Sequence, residues 1–129
     1  MEDFKEFMKE RARSCERHSS NCVGSALYIT GEISFDSYFS RRNAKLKLSR
    51  LKTAYSPEVG YIALWQWEGE PVHAGVIFEK NPFKIVHRSE ANGLLTEKLL
   101  DEFIEHTFKF TGIKPVYKIP NKLRDPNFK

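Results

Sequence analysis

One cysteine and two histidines supply the side chains in this chain that are best suited to covalent chemistry. Cys22 follows Ser20-Asn21, polar residues that favour the start of a helix, and the positive end of a helix dipole stabilises a thiolate. A thiolate becomes a catalytic nucleophile when a neighbouring base takes its proton. His73 and His87 lie downstream, in segments rich in β-branched and aromatic residues. The sequence therefore predicts a site in which two strands bring imidazoles to Cys22.

The two histidines belong to a predicted hairpin that turns at Asn81-Pro82. Because side chains alternate across a strand, the length of the loop decides whether the imidazoles share a face. A three- or five-residue loop places His73 and His87 on one face. A two- or four-residue loop separates them unless a bulge intervenes. We predict an odd-length loop with both rings on one face of the sheet.

Three short stretches follow one another on a helix, a strand and a second strand: Asn21-Cys22-Val23-Gly24-Ser25, His73-Ala74-Gly75-Val76 and Val86-His87. This order resembles the NlpC-type papain-like cysteine peptidases. Their nucleophile motif is Asp-Cys-Ser-Gly-aromatic at a helix start. Their base motif is His-Val-Gly-Ile on a strand, and a third polar residue follows on the next strand. The resemblance covers residues 19–90.

The resemblance implies a papain-like α+β fold, in which the nucleophile helix packs on an antiparallel sheet. The length of 129 residues predicts a single domain over residues 1–129. By the same resemblance Cys22 is the nucleophile, His73 is the general base and His87 orients the ring of His73. The backbone N–H of Cys22 is expected to be one oxyanion donor. His18, four residues before Cys22, is also expected near the site.

Two residues beside the nucleophile depart from the family pattern, because Asn21 replaces Asp and Val23 replaces Ser. In the cell-wall members these positions help to line the pocket for a peptidoglycan peptide, so the departures indicate an altered pocket. Substrate contacts are expected from Asn21, Val23, His18 and Tyr38. The predicted reaction is hydrolysis of a peptide or amide bond through a thioester. The alternatives are acyl transfer or (thio)ester hydrolysis on a lipid-like acyl group, which Val23 would suit, and a catalytically silent binding module.

Each candidate also has a structural interpretation, since single cysteines and strand histidines are usually packing residues. The joint order of the three motifs favours catalysis. Cys15 falls on the apolar side of the first predicted helix and is expected in the core. A metal site from Cys15, Cys22, His18 and His73 is conceivable, but the chain lacks the closely spaced pairs typical of zinc sites. No metal or other cofactor is therefore expected.

Charge is the main clue to partners other than a peptide or acyl substrate. The 129 residues include 21 Lys and Arg against 17 Asp and Glu, a formal net charge of +4. Six of the basic residues lie in the segment 41–52, which we interpret as a solvated connection. The alternative is a contact with an acidic ligand, such as an anionic peptide, a phospholipid head group or nucleic acid. Since no aromatic RNA-binding motif accompanies the segment, no nucleic-acid partner is expected.

The hydropathy pattern bears on location. The sequence has no apolar run long enough for a membrane span, and its charged N-terminal segment lacks the apolar core of a signal peptide. A cytoplasmic protein with reduced cysteines is the expectation, and a secreted chain trimmed of its signal is the alternative. The oligomeric state is left open.

Residue periodicity predicts the elements that position the site. Helices are expected over 2–17, 21–30 and 94–110, and a short helix or loop over 34–43. A strand over 59–67 joins the two histidine strands in an antiparallel meander. A last strand over 113–119 is expected at the sheet edge, because Pro115 cannot donate a ladder hydrogen bond.

Overall fold

The computed structural model describes residues 3–15, 20–89 and 93–126, and it has an α+β fold. The helices are α1 (Phe4–Arg13), α2 (Cys22–Ile29), α3 (Arg41–Ser49), α4 (Leu100–Thr111) and α5 (Asn121–Arg124). The strands are β1 (Lys52–Ala54), β2 (Ile62–Trp67), β3 (Glu70–Glu79), β4 (Lys84–Arg88), β5 (Leu95–Leu99) and β6 (Val116–Ile119). All six strands form one antiparallel sheet in the order β1-β6-β2-β3-β4-β5.

Alternating side chains of the sheet build two separate apolar cores, one on each face. On the first face, Ala74 and Val76 of β3 pack with residues of α1, α2 and α3. On the second face, Ile77 of β3 and Ile85 of β4 pack with Leu100 and other residues of α4. We call these the α2 face and the α4 face. The buried apolar residues of β3 and β4 therefore divide between these two cores.

The predicted helix over 21–30 and the predicted three-strand meander are confirmed as α2 and as β2, β3 and β4. The predicted first helix is shorter than 2–17, since α1 ends at Arg13. The basic segment 41–52 was not expected to be regular structure, yet most of it forms α3. Ala44 and Leu48 bury one side of α3, while its basic side chains remain at the surface.

Two predictions about the C-terminal third are wrong. The segment predicted as one helix over 94–110 divides into β5 and α4, because pairing with β4 holds Leu95–Leu99 extended. The last strand, β6, lies inside the sheet between β1 and β2 rather than at its edge. Pro115 precedes this strand and so removes no ladder hydrogen bond. The longest helix of the described ranges has 12 residues, and none of those helices is long and apolar enough to cross a membrane.

The start of α2 is held against the chain segment that precedes α3. Asn21 caps the helix through Oδ1, which accepts the Gly24 N–H at 2.9 Å, and its Nδ2 donates to the carbonyl oxygen of Phe39 at 2.8 Å. Gly24 allows the two segments to approach closely. A Cβ at this position would lie 1.9 Å from the backbone oxygen of Ser37. The backbone of residues 37–39 can therefore lie this close to α2 only because Gly24 has no Cβ.

We expect Gly24→Ala to lower the free energy of unfolding by about 2 to 3 kcal/mol, because the added methyl group must displace backbone rather than a flexible side chain. In an unhindered helix the same change stabilises by up to about 1 kcal/mol. Urea denaturation followed by circular dichroism measures the difference.

Gly112→Ala is the matched control. Gly112 ends α4 with φ +70° and has no atom within 4 Å of a built Cβ, so only the left-handed backbone conformation is penalised. Its expected cost is about 1 kcal/mol. A Gly24→Ala variant as stable as the wild type would contradict the close packing of α2 on Ser37.

Candidate functional site

The hairpin brings the two predicted histidines together. His73 Nε2 lies 3.0 Å from His87 Nδ1, so one ring nitrogen donates a hydrogen bond to the other. The predicted common face is confirmed, but the predicted odd-length loop is wrong. Glu79 pairs with Lys84 across a four-residue loop, and a bulge at Phe78 restores the parity. His87 pairs with Gly75, which makes the two imidazoles diagonal neighbours.

The histidine pair is enclosed by aromatic rings of the α4 face. The His73 ring lies 5.8 Å from both Trp65 and Phe103, and the His87 ring lies 4.5 Å from Phe103. Thr96 Oγ1 on β5 lies 3.3 Å from His87 Nε2. Burial lowers the pKa of each imidazole to about 4, and the neighbouring His73 adds to this effect on His87. Both rings are therefore neutral near pH 7. This agrees with the hydrogen bond between them, because the accepting ring nitrogen must be unprotonated.

Cys22 lies in the other core. It is 6% exposed and packs with Ala74 and Val76 on the α2 face, whereas His73 contacts Trp65 and Phe103 on the α4 face. The sheet thus separates the thiol from both imidazoles, and the predicted triad of Cys22, His73 and His87 is not assembled. The reason is that neighbouring side chains of a strand point to opposite faces of the sheet. Helix α2 packs on β3, but it packs on the face of the sheet that the neighbours of His73 occupy.

Of the other two histidines, the structure describes His106, and this residue does not replace His73. His106 is exposed on α4, the helix that covers the opposite face of the sheet from Cys22. His18, which was expected near the nucleophile, lies outside the described residues. The three described histidines, His73, His87 and His106, therefore belong to the α4 side of the sheet, whereas Cys22 packs on the α2 face.

Cys22 does border a cavity of about 330 Å³. We call it the Cys22 cavity; its walls are formed by Asn21, Cys22, Val23, Tyr38, Phe39, Arg41, Ala44, Pro71 and Val72. Three residues expected to contact substrate, Asn21, Val23 and Tyr38, are thus beside the thiol. Arg41 was not singled out, although it is the first residue of the basic segment. The signal that would have found it is Ser40, a helix cap that places Arg41 at the start of α3.

The polar atoms of Asn21 are already engaged in structure. Its Oδ1 caps Gly24 and also accepts the Phe39 N–H at 3.3 Å, while its Nδ2 donates to the Phe39 carbonyl oxygen. Asn21 therefore positions the wall of the Cys22 cavity and has little capacity left for a ligand. Tyr38 is 68% exposed at the mouth of the cavity.

A buried polar network that the sequence analysis missed holds α2 in place. Arg88 Nη2 donates to Asp36 Oδ2 at 2.8 Å, and Arg88 Nε donates to Ser25 Oγ at 2.7 Å. Ser25 in turn donates to Asp36 Oδ1 at 2.9 Å. The side chains of the ion pair are only 3% and 2% exposed. The network ties α2 to β4 and to the segment before α3, one residue from His87 but on the other face.

The second cysteine, Cys15, is partly buried. Cys15 follows α1 and packs at the edge of the core on the α2 face, as the sequence suggested. Burial raises the pKa of its thiol to about 12, and the Asp36 carboxylate adds to the shift. The metal-binding set considered above does not come together, because His73 lies across the sheet from Cys22. Across residues 3–15, 20–89 and 93–126, no group of three or more His, Cys, Asp and Glu is placed to hold a metal ion.

Comparison of the chain with protein-family models, with curated proteins and with solved structures found no match. The likeness to NlpC-type peptidases therefore rests on the three short sequence stretches alone. The functional argument rests on the geometry of the Cys22 cavity.

The histidine pair makes a prediction about stability. The folded-state pKa values near 4 lie below the ordinary value of 6.5. The unfolded chain therefore binds protons first as the pH falls, and stability present above pH 6.5 is lost towards pH 4. In His87→Asn, an amide can occupy the position of Nδ1. The free energy of unfolding should therefore fall between pH 7 and pH 4 by about 2 to 3 kcal/mol less than it does in the wild type. Urea denaturation at pH 7 and pH 4 gives the slope for each variant.

His106→Asn is the control for this experiment, because His106 is exposed on α4. It should leave the wild-type slope unchanged. Carboxylates contribute equally to all three proteins and cancel in the comparison. Parallel stability profiles for the wild type and His87→Asn would show that the imidazole pair is not the acid-sensitive element.

Proposed function

We propose that the protein is a thiol-dependent enzyme in which Cys22 attacks an acyl carbon bound in the Cys22 cavity. The observation that carries the proposal is the position of this thiol, at the first residue of a capped helix and in the wall of a cavity of about 330 Å³. A helix N-terminus favours the thiolate. The likeness of Asn21-Cys22-Val23-Gly24 to the NlpC nucleophile motif supports the same role.

The reaction begins when the Cys22 thiol loses its proton to a base. The Sγ–C bond forms as the bond from the acyl carbon to the leaving group breaks, and the leaving group departs with a proton or as an anion. Water then hydrolyses the thioester, or an acceptor takes the acyl group. The substrates open to this chemistry are peptides, amides and (thio)esters.

A thioester substrate makes a smaller chemical demand on the site than an amide does. An amine leaves only when an acid protonates it, whereas a thiolate leaving group departs without such help. Apolar walls formed by Val23, Ala44 and Val72 also suit an acyl chain. Acyl transfer or thioester hydrolysis, given as an alternative from the sequence, is accordingly the second candidate that the site supports.

The first test is the rate of Cys22 alkylation by iodoacetamide between about pH 6 and pH 9, with Cys15 as the reference thiol in the same molecule. Mass spectrometry separates the two sites. Cys22 should react at least roughly tenfold faster than Cys15 near pH 7.5, because the raised pKa of Cys15 keeps it protonated. Equal, slow rates would favour the silent binding module.

Two histidine variants identify the base in the same assay. His73→Ala should leave the Cys22 rate unchanged, because His73 lies across the sheet. A fall in the rate for His18→Ala would assign the base to His18, whose position is known from the sequence only. A fall for His73→Ala instead would mean that thiol and imidazole meet in solution, as the family resemblance implies.

Cys22→Ala should abolish turnover of a thioester such as S-phenyl thioacetate, by more than about 100-fold in kcat/KM, while preserving the circular dichroism spectrum. Cys15→Ala is the matched control and should retain turnover. An active Cys22→Ala variant would refute the role of Cys22.

A further inference from the structure

Arg41 is the one charged side chain among the described walls of the Cys22 cavity. The described lining contains no Asp or Glu, and the sequence has none between residues 37 and 57. Among the described residues, Arg41 forms neither an ion pair nor a side-chain hydrogen bond. Lys45, four residues later on α3, is by contrast paired with Glu70 at 3.1 Å.

The other described side chains of the cavity wall carry no charge. Val23, Ala44 and Val72 are apolar, and the oxygen of Asn21 is already occupied by two backbone N–H groups. Arg41 is exposed to solvent at the first turn of α3, where its guanidinium is accessible to a ligand. A guanidinium binds carboxylates through paired, charge-assisted hydrogen bonds.

We propose that the Cys22 cavity selects acyl substrates that carry a carboxylate, and that Arg41 binds this group while the reacting carbon lies at Cys22. The proposal deepens the proposed function and rests on it. A single guanidinium balances a single negative charge, and a cavity of about 330 Å³ has room for a short acyl or aminoacyl unit. The substrate class is thus a small anionic acyl compound rather than a polyanion.

The test uses two alkylating agents of nearly equal size, neutral iodoacetamide and anionic iodoacetate. Each forms an Sγ–C bond with Cys22 and releases iodide. The measured quantity is the iodoacetate rate divided by the iodoacetamide rate at Cys22. Arg41→Gln should lower this ratio at least roughly fivefold, because it removes the cation that attracts the carboxylate. The ratio for free glutathione gives the intrinsic preference of a thiol.

Arg42→Gln is the matched control, since it removes the same charge from the neighbouring residue of α3, which does not line the cavity. Its ratio should stay within about twofold of the wild type at roughly 0.15 M salt. An equal fall in both variants would mean that the basic segment acts through a diffuse field, which would overturn binding by Arg41.

The outcomes for the selection and for the proposed function are distinguishable. If Cys22 reacts rapidly with iodoacetamide but the ratio is insensitive to Arg41→Gln, carboxylate selection is wrong while the thiol chemistry stands. If Cys22 reacts with neither agent, both the proposed function and this inference are wrong.

A competition experiment tests the same contact. Succinate should slow Cys22 alkylation by iodoacetamide in the wild type but not in Arg41→Gln, and neutral succinamide should slow neither.

Discussion

Strand alternation is the constraint on which the site depends. Neighbouring residues of β3 and β4 face two different cores, so Val86 and His87 are adjacent in sequence but lie on opposite sides of the sheet. The same rule separates Ala74, which packs near Cys22, from His73, which packs against Trp65. Each side chain has one available face once the sheet has formed, and the chemistry of each face follows from this assignment.

On the α2 face, buried polar contacts determine where the thiol lies. Asp36 and Arg88 form a buried ion pair, and each of them also forms a hydrogen bond with Ser25. A buried ion pair is tolerated when such additional hydrogen bonds are present. Removing one member would leave a buried charge, at a cost of about 3 to 5 kcal/mol. Together with the Asn21 cap, the network joins α2 to β4 and to the segment before α3. The wall of the Cys22 cavity is thereby built from rigid elements.

On the α4 face, burial and hydrogen bonding act on the two imidazoles. His73 and His87 lose hydration under Phe103, which favours their neutral forms, and a hydrogen bond between the rings compensates for the burial. A neutral, hydrogen-bonded pair of this kind resembles a structural element of the core. The catalysis proposed for Cys22 and the packing of the imidazoles are then separate properties of the two faces.

The sequence by itself determined the local features: the capped helix at Cys22, the β-character of the histidine segments, and the residues Asn21, Val23 and Tyr38 beside the thiol. These depend on contacts between near neighbours and on patterns of two or four residues. Only the tertiary structure decided which face each histidine occupies, that β6 lies inside the sheet, and that Arg88 joins Asp36. Apolar residues occur at both parities of β3, so nothing in the local pattern distinguishes the two faces. That choice is made by which helix packs against each core, through contacts between residues far apart in the chain.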